Sequence, residues 1–308
     1  MSNPPDSVSN APTNALRSKK ASKTTSPWPA AAGAYQLGPL INTGGMGVVF
    51  EAWHRETVRR VAVKFLSPRS QFPNAAVRFS REIFALRTLK HPHTVRLESW
   101  GRSEANQPWL AMEYVDGFSL AQLVTYEGAQ SVKRTLELLR QICGSIGEVH
   151  ELGMAHRDVK PANVMLTIQD HGQDWIKVVD FGLVKLPDEL TAQPITLAGT
   201  LLGTPGYAPP EAWVSCEQVG LRGDVYGIGL IGYHLLTGRD PPDATEQRAQ
   251  DSVAMVAELR ERTPRWLVNV LARCLAQQPE QRYADANQLR RALNLPLHER
   301  KQSLALPD

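Results

Sequence analysis

The stretch HRDVKPANVML, residues 156–166, carries Asp158, Lys160 and Asn163 on a polar loop that runs into an apolar strand. A carboxylate, an ammonium and an amide oxygen in that order can orient a hydroxyl nucleophile, steady a transferred phosphoryl group and ligate Mg²⁺. Asp180-Phe181-Gly182 follows the next apolar run and adds a second hard oxygen ligand. Upstream, INTGGMGVVFEA places Gly44, Gly45 and Gly47 before a β-type run. Glycines let backbone amides approach phosphate oxygens, and a strand after them, in place of a helix, points to a hairpin lid and away from a dinucleotide fingerprint.

These groups need elements to hold them. In VRRVAVKFL, strand alternation sets Val61, Val63 and Phe65 on one face and Ala62 and Lys64 on the other, so one face packs while the other presents an ammonium. The helix predicted after Pro73 and Asn74 has apolar spacings through Val77, Ser80 and Phe84, with Ile83, Leu86 and Lys90 on the adjoining stripe. It carries Glu82, a partner for Lys64. Strands are predicted near Val95–Trp100 and Trp109–Tyr114, and Asp116-Gly117 marks a boundary between lobes. Beyond it the pattern is mainly helical: Leu139, Ile142, Cys143, Ile146 and Val149 make one apolar stripe, with Gly153 as its C-cap. Short strands at Asn163–Leu166 and Trp175–Val179 flank a polar turn.

Taken together, the sequence resembles the eukaryotic-like protein kinases, and in detail their bacterial Ser/Thr members. The Gly-rich loop, VAVK, the helical glutamate, HRDVKPAN, DFG, GTPGYAPPE and DVYGIG stand in family order and spacing from about Tyr35 to Leu295. The resemblance implies an α+β, two-lobed fold with a small β-rich N-lobe (35–112), a hinge (113–117) and a larger helical C-lobe (118–295). It implies ATP and Mg²⁺ in the cleft. Ile41, Val49, Ala62 and Met165 match positions that sandwich adenine, Met112 the gatekeeper, and the Glu113 and Val115 backbones the hinge contacts. Lys64 matches the lysine that pairs with the phosphates and Glu82, Asp158 the catalytic base, and Asn163 and Asp180 the Mg²⁺ ligands. His156 and Asp224 match supports of the catalytic loop, and Glu211 and Arg282 a buried structural pair. Arg157 matches the arginine that holds a phosphate on the activation segment, where Thr196 and Thr200 are candidate phosphosites and Thr204 positions the acceptor. Lys160 and Thr204 resemble Ser/Thr kinases and not tyrosine kinases. Two departures stand out. Asn42 replaces the first loop glycine, a residue expected to tolerate positive φ; Pro209 stands in place of alanine.

Composition narrows the classes. A 42% hydrophobic, 21% charged chain of 308 residues has ordinary globular make-up. Its 34 basic and 31 acidic residues leave +3, an excess matched by Arg17, Lys19, Lys20 and Lys23 against Asp6 in a Ser/Thr/Pro-rich segment. That makes residues 1–34 an expected disordered tail, with a C-terminal tail at 296–308, and leaves no basic face for nucleic acid. No apolar run reaches bilayer length. Cys143, Cys216 and Cys274 form no paired framework, which suits a reducing, cytoplasmic setting. The expected partners are protein serine/threonine substrates, with transient self-association for autophosphorylation and no membrane. The expected function is a Ser/Thr protein kinase in signalling. Two alternatives are a pseudokinase scaffold, which would lack Lys64, Asp158, Asn163 or Asp180, and a small-molecule phosphotransferase, against which Lys160 and GTPGYAPPE speak.

Overall fold

The structure, a computed structural model, describes residues 28–44, 46–67, 74–169, 171–187, 205–215, 218–242, 248–261 and 263–295. Gly45, Thr196, Thr200, Thr204, residues 1–27 and 296–308 lie outside the described residues.

The N-terminal lobe is an antiparallel sheet. Its strands are β1 (Ala31–Ala32), β2 (Tyr35–Thr43), β3 (Gly47–His54), β4 (Arg60–Leu66), β5 (Leu97–Arg102) and β6 (Pro108–Glu113), in the spatial order β1-β2-β3-β4-β6-β5. Alternation works as expected on β4: Val61, Val63 and Phe65 join Val48, Phe50, Ala52, Trp109 and Ala111 in one core, while Ala62 and Lys64 face the cleft. Gly47 is a steric necessity, since a Cβ there would lie 1.9 Å from the Phe65 carbonyl oxygen.

Helix α1 (Ala75–Thr88) packs beside this sheet but in a different rotation from the one expected. It buries Arg78, Phe79, Glu82, Ala85 and Leu86, while Val77 and Phe84 are 38% and 39% exposed. Periodicity alone permits two adjoining stripes. Burial of Phe79 against Leu66 and Leu110, and the reach of Glu82 to Lys64, choose between them.

The C-terminal lobe contains β7 (Phe118–Ser119), α2 (Leu120–Glu127), α3 (Val132–Glu151), β8 (Val164–Ile168), β9 (Asp174–Val178), α4 (Leu221–Thr237), α5 (Arg248–Arg260), α6 (Arg265–Cys274) and α7 (Ala286–Leu293). Strands β7, β8 and β9 form a small antiparallel sheet at the cleft floor. Helix α2 begins with a capping box in which Ser119 and Gln122 satisfy each other's backbone amides. The predicted α3 stripe, Leu139 to Val149, is fully buried, and Cys143 belongs to that core. Helix α4 is buried from Gly223 to Leu236, as befits a central helix with apolar residues on every side, Asp224 and His234 being its buried polar exceptions. A Cβ at its Gly227 would come within 2.5 Å of the Val159 carbonyl, so the loop that carries Asp158 and Lys160 rests directly on the helix backbone.

One boundary differs from the sequence expectation. Residues 28–34 are not part of a loose tail. β1 pairs with β2 through Ala31↔Gln36 and Ala32↔Tyr35, and Ala32 is completely buried. The Trp28 ring stands 6.2 Å from Phe50 and 6.0 Å from Phe65, covering the outer side of the sheet core. Averaging composition over 34 residues hides one tryptophan that supplies the missing apolar cover. Removing a fully buried tryptophan costs about 3–5 kcal/mol, and half-buried Trp28 should forfeit about 2 of these. Trp28→Ala should therefore lower the melting midpoint by about 4–8 °C in a thermal scan, and an unchanged midpoint would remove the cover role.

Candidate active site

The lobes enclose a cleft of about 570 Å³. Its roof is Ile41, Gly44, Gly47, Val49 and Ala62, its back wall Met112, Glu113 and Val115, and its floor Met165 with Asp158, Asn163 and Asp180. Every described residue named above as an ATP position lines it.

Lys64 is central. Its Nζ donates to Glu82 Oε1 and Oε2 at 2.8 and 2.9 Å and to Asp180 Oδ1 at 2.8 Å. Burial opposes the ammonium charge, but the Asp180 and Glu82 carboxylates outweigh it and hold the pKa above the usual lysine range. The same ammonium holds the Asp180 carboxyl down at about 2. Asp180 is further fixed by its backbone, which takes φ 63, an uncommon left-handed conformation for a residue other than glycine.

On the opposite wall, Asp158 Oδ2 accepts from Lys160 Nζ at 2.7 Å and from Asn163 Nδ2 at 2.8 Å, and that Nδ2 also donates to the Asp158 carbonyl at 2.9 Å. With its nitrogen engaged this way, Asn163 offers its Oδ1 for a cation. Asp180 and Asn163 thus supply the hard oxygen donors that suit Mg²⁺, a metal that takes few protein ligands and fills its shell with water and phosphate.

Asp224 supports the loop from below. Its carboxylate accepts from the His156 and Arg157 amides, both at 2.7 Å, and from His150 Nε2 at 3.0 Å. Burial would push this carboxyl up, yet its donors, His150 foremost, hold it ionised and below the ordinary aspartate range. Arg157 has φ 66, so the paired amide bonds retain a backbone turn that costs about 1–3 kcal/mol elsewhere. His156 is fully buried, accepts the Asp158 amide at Nδ1 at 3.3 Å and packs its ring 4.7 Å from Phe181, which suits support and not proton transfer.

Glu211 and Arg282 meet as expected, in a bidentate pair at 2.8 Å for each contact. Arg282 also donates to the carbonyls of Ala276, Arg222 and Gln277, so this 1% exposed guanidinium is well satisfied. Removing one partner of such a pair costs about 3–5 kcal/mol. Pro209 caps the short 3₁₀ turn Pro210–Trp213 in extended conformation and leaves Glu211 in place. Asn42 corrects an expectation: it lies in β2 opposite Val49 and is not among the described residues with positive φ, so its tolerance for that region is unused. Arg157 Nε donates to the Val219 carbonyl at 2.8 Å.

Other lining residues escaped the sequence reading: Met46, Val95, Ala162, Val179 and Leu183. Met46 at the lid tip packs over Gly182, where a Cβ would lie 2.8 Å from its methyl carbon. Apolar residues of this kind carry no chemical signal; a position within the glycine loop is the only hint for Met46.

The protein kinase domain family matches residues 35–294. The chain belongs to the protein kinase family. This kinase domain is 34% identical over 277 residues to serine/threonine-protein kinase Pkn1 of Myxococcus xanthus, covering 87% of this chain and 39% of the relative. Against serine/threonine-protein kinase PknB of Mycolicibacterium smegmatis it is 33% identical, covering 86% and 43%. The chain thus spans less than half the length of these two relatives. The crystal structure of the Mycobacterium tuberculosis PknI kinase domain superposes with a TM-score of 0.65 at 29% identity, covering 85% of this chain and 95% of that one. The two-lobed α+β fold is that of the family.

A pH dependence follows for this kinase domain. The folded pKa of Asp180, about 2, lies below the ordinary aspartate value of about 3.9. Its ionisation therefore stabilises the fold above about pH 4, and the contribution is lost as pH falls toward the folded value. In urea titrations, the stability gap between wild type and Asp180→Asn should narrow from pH 6 to pH 3; an equal gap at both would contradict the linkage.

Proposed function

We propose that this chain is a Ser/Thr protein kinase that transfers the γ-phosphoryl group of ATP to protein serine and threonine hydroxyls. The observation that carries the reading is the placement of Lys64 Nζ at 2.8 Å from both Glu82 and Asp180, across the cleft from the Asp158, Lys160 and Asn163 cluster. Lys64 neutralises nucleotide phosphate charge and is held for that task by Glu82. Asp158 accepts the hydrogen bond of the acceptor hydroxyl and orients it, and Lys160 stands beside it to offset charge on the transferred group. Asn163 and Asp180 would hold Mg²⁺, which supplies charge neutralisation at the phosphate oxygens. The purine lies between Val49 and Ala62 above and Met165 below, against the Glu113 and Val115 backbones. Gly44 and Gly47 bring lid amides to the phosphates, and the apolar walls limit water. Catalysis is then positioning and electrostatics, with little covalent work for the protein.

Lys64, Asp158, Asn163 and Asp180 are all present, which argues against a pseudokinase scaffold. The names of the relatives and Lys160 support a serine or threonine acceptor. Among the described residues no helix is long and apolar enough to cross a membrane.

Asp158→Asn should abolish transfer while nucleotide affinity survives. Loss of one positioned polar group typically costs about 3–4 kcal/mol of transition-state stabilisation, so a variant that keeps most wild-type rate in a radiolabelled phosphate assay would sink the assignment.

Regulation is proposed at Thr196 and Thr200, where a phosphate adds about −1.5 to −2 charge and can order a segment through Arg157. Transfer between two copies of the chain would install it. The double variant Thr196→Ala/Thr200→Ala should lose the activation that wild type gains on pre-incubation with Mg-ATP. Full activation of that variant, or no phosphate on residues 188–204 of wild type by mass spectrometry, would remove the switch.

A further inference from the structure

Glu113 begins the hinge at the end of β6, and its carboxylate gathers contacts from two other chain segments. Its Oε1 accepts the Arg96 amide at 2.8 Å and Lys177 Nζ at 2.6 Å, while its own amide donates to the Arg96 carbonyl at 2.9 Å. Lys177 lies on β9, opposite Met165 on the cleft floor and three residues before Asp180. β9 is in turn bonded to the segment after α1: Val178 donates to the His93 carbonyl at 2.8 Å and its own carbonyl accepts the Val95 amide at 3.0 Å. The other cation nearby, Arg96, directs its guanidinium to Glu98 at 2.9 and 3.0 Å. Besides the Arg96 amide, the Glu113 carboxylate therefore has Lys177 as its charge partner. Both side chains are only 17–18% exposed, so solvent screens the pair less than a surface bridge.

We propose that Lys177 is a positioning residue for the nucleotide: with Glu113 it forms a strut that locks the hinge backbone to β9, the strand that leads into Asp180. The proposal rests on the kinase reading for the identity of the ligand. Its physical content is that one ion pair couples the two ends of the nucleotide site. The hinge backbone faces the base and Asp180 faces the phosphates, and a rigid span between them lets both ends bind without an ordering cost.

The test uses the full chain with Lys177→Met, Glu113→Gln and the swap Glu113→Lys/Lys177→Glu, each first checked for a wild-type-like melt, with Lys177→Gln as a second single variant. A fluorescent ATP analogue with Mg²⁺ reports affinity, and amide hydrogen exchange of residues 112–117 in the nucleotide-free protein reports the hinge. Either Lys177 variant should weaken the analogue about 5- to 10-fold, a span typical of coupling between contacting groups, and speed hinge exchange. KM for ATP should rise while kcat and KM for a peptide acceptor stay within about twofold, a split that general destabilisation would not produce. The swap should recover much of both losses. Unchanged affinity with unchanged hinge exchange, or a swap as impaired as the single variants, would overturn the strut. A wild-type protein that binds the analogue yet transfers no phosphate would refute the kinase reading while the affinity and exchange readouts still judge the strut.

Discussion

A lysine ammonium held out of water is tolerable only when carboxylates surround it, and the cleft is arranged around that demand. Lys64, 7% exposed, draws Glu82 from one helix and Asp180 from a loop in the other lobe to within hydrogen-bond distance. Each contact places a constraint on something larger. To deliver Glu82, α1 must rotate its Glu82 face inward. To deliver Asp180, the loop after β9 must adopt a left-handed backbone. The lobes are thus registered to one another by a charge that neither could bury alone.

The C-terminal lobe solves the complementary problem of holding a strained loop still. Asp224 spends a fully buried carboxylate on two consecutive amides, and α4 has a glycine where the loop carbonyl descends on it. Arg282 does the same for the segment around Glu211, with three backbone carbonyls as well as the carboxylate. In both places a polar group is buried at a cost that hydrophobic packing of α3, α4 and α6 must offset. The result is rigidity at Asp158 and Asn163, the two groups whose mutual hydrogen bond would suffer from any slack.

Much of this is legible in the chain because its charged residues sit in motifs whose order resembles that of the protein kinases. Asp158, Asn163, Asp180, Lys64 and Glu82 line one cleft, the arrangement that the family resemblance implied, and strand alternation put Lys64 on the correct face. What escaped the reading is informative. The rotation of α1 could not be chosen from periodicity, because Val77 and Phe84 mimic a core stripe and the true inward face includes Arg78 and Glu82. Asn42 was judged by its conformational tolerance, whereas a strand position asks nothing unusual of it. Met46 and Leu183 line the cleft as ordinary apolar residues, and the Glu113–Lys177 contact joins residues 64 positions apart with no local pattern to announce it.

Trp28 lies seven positions before the first residue matched by the family pattern, yet its ring covers Phe50 and Phe65 inside that pattern. Cooperative folding units are bounded by buried area, whereas recurrent sequence patterns are bounded by what relatives share. Here the two limits do not coincide. A fragment excised at Tyr35 would carry every chemically active residue and still begin with an exposed aromatic floor, inviting association through the very surface that the native chain keeps covered.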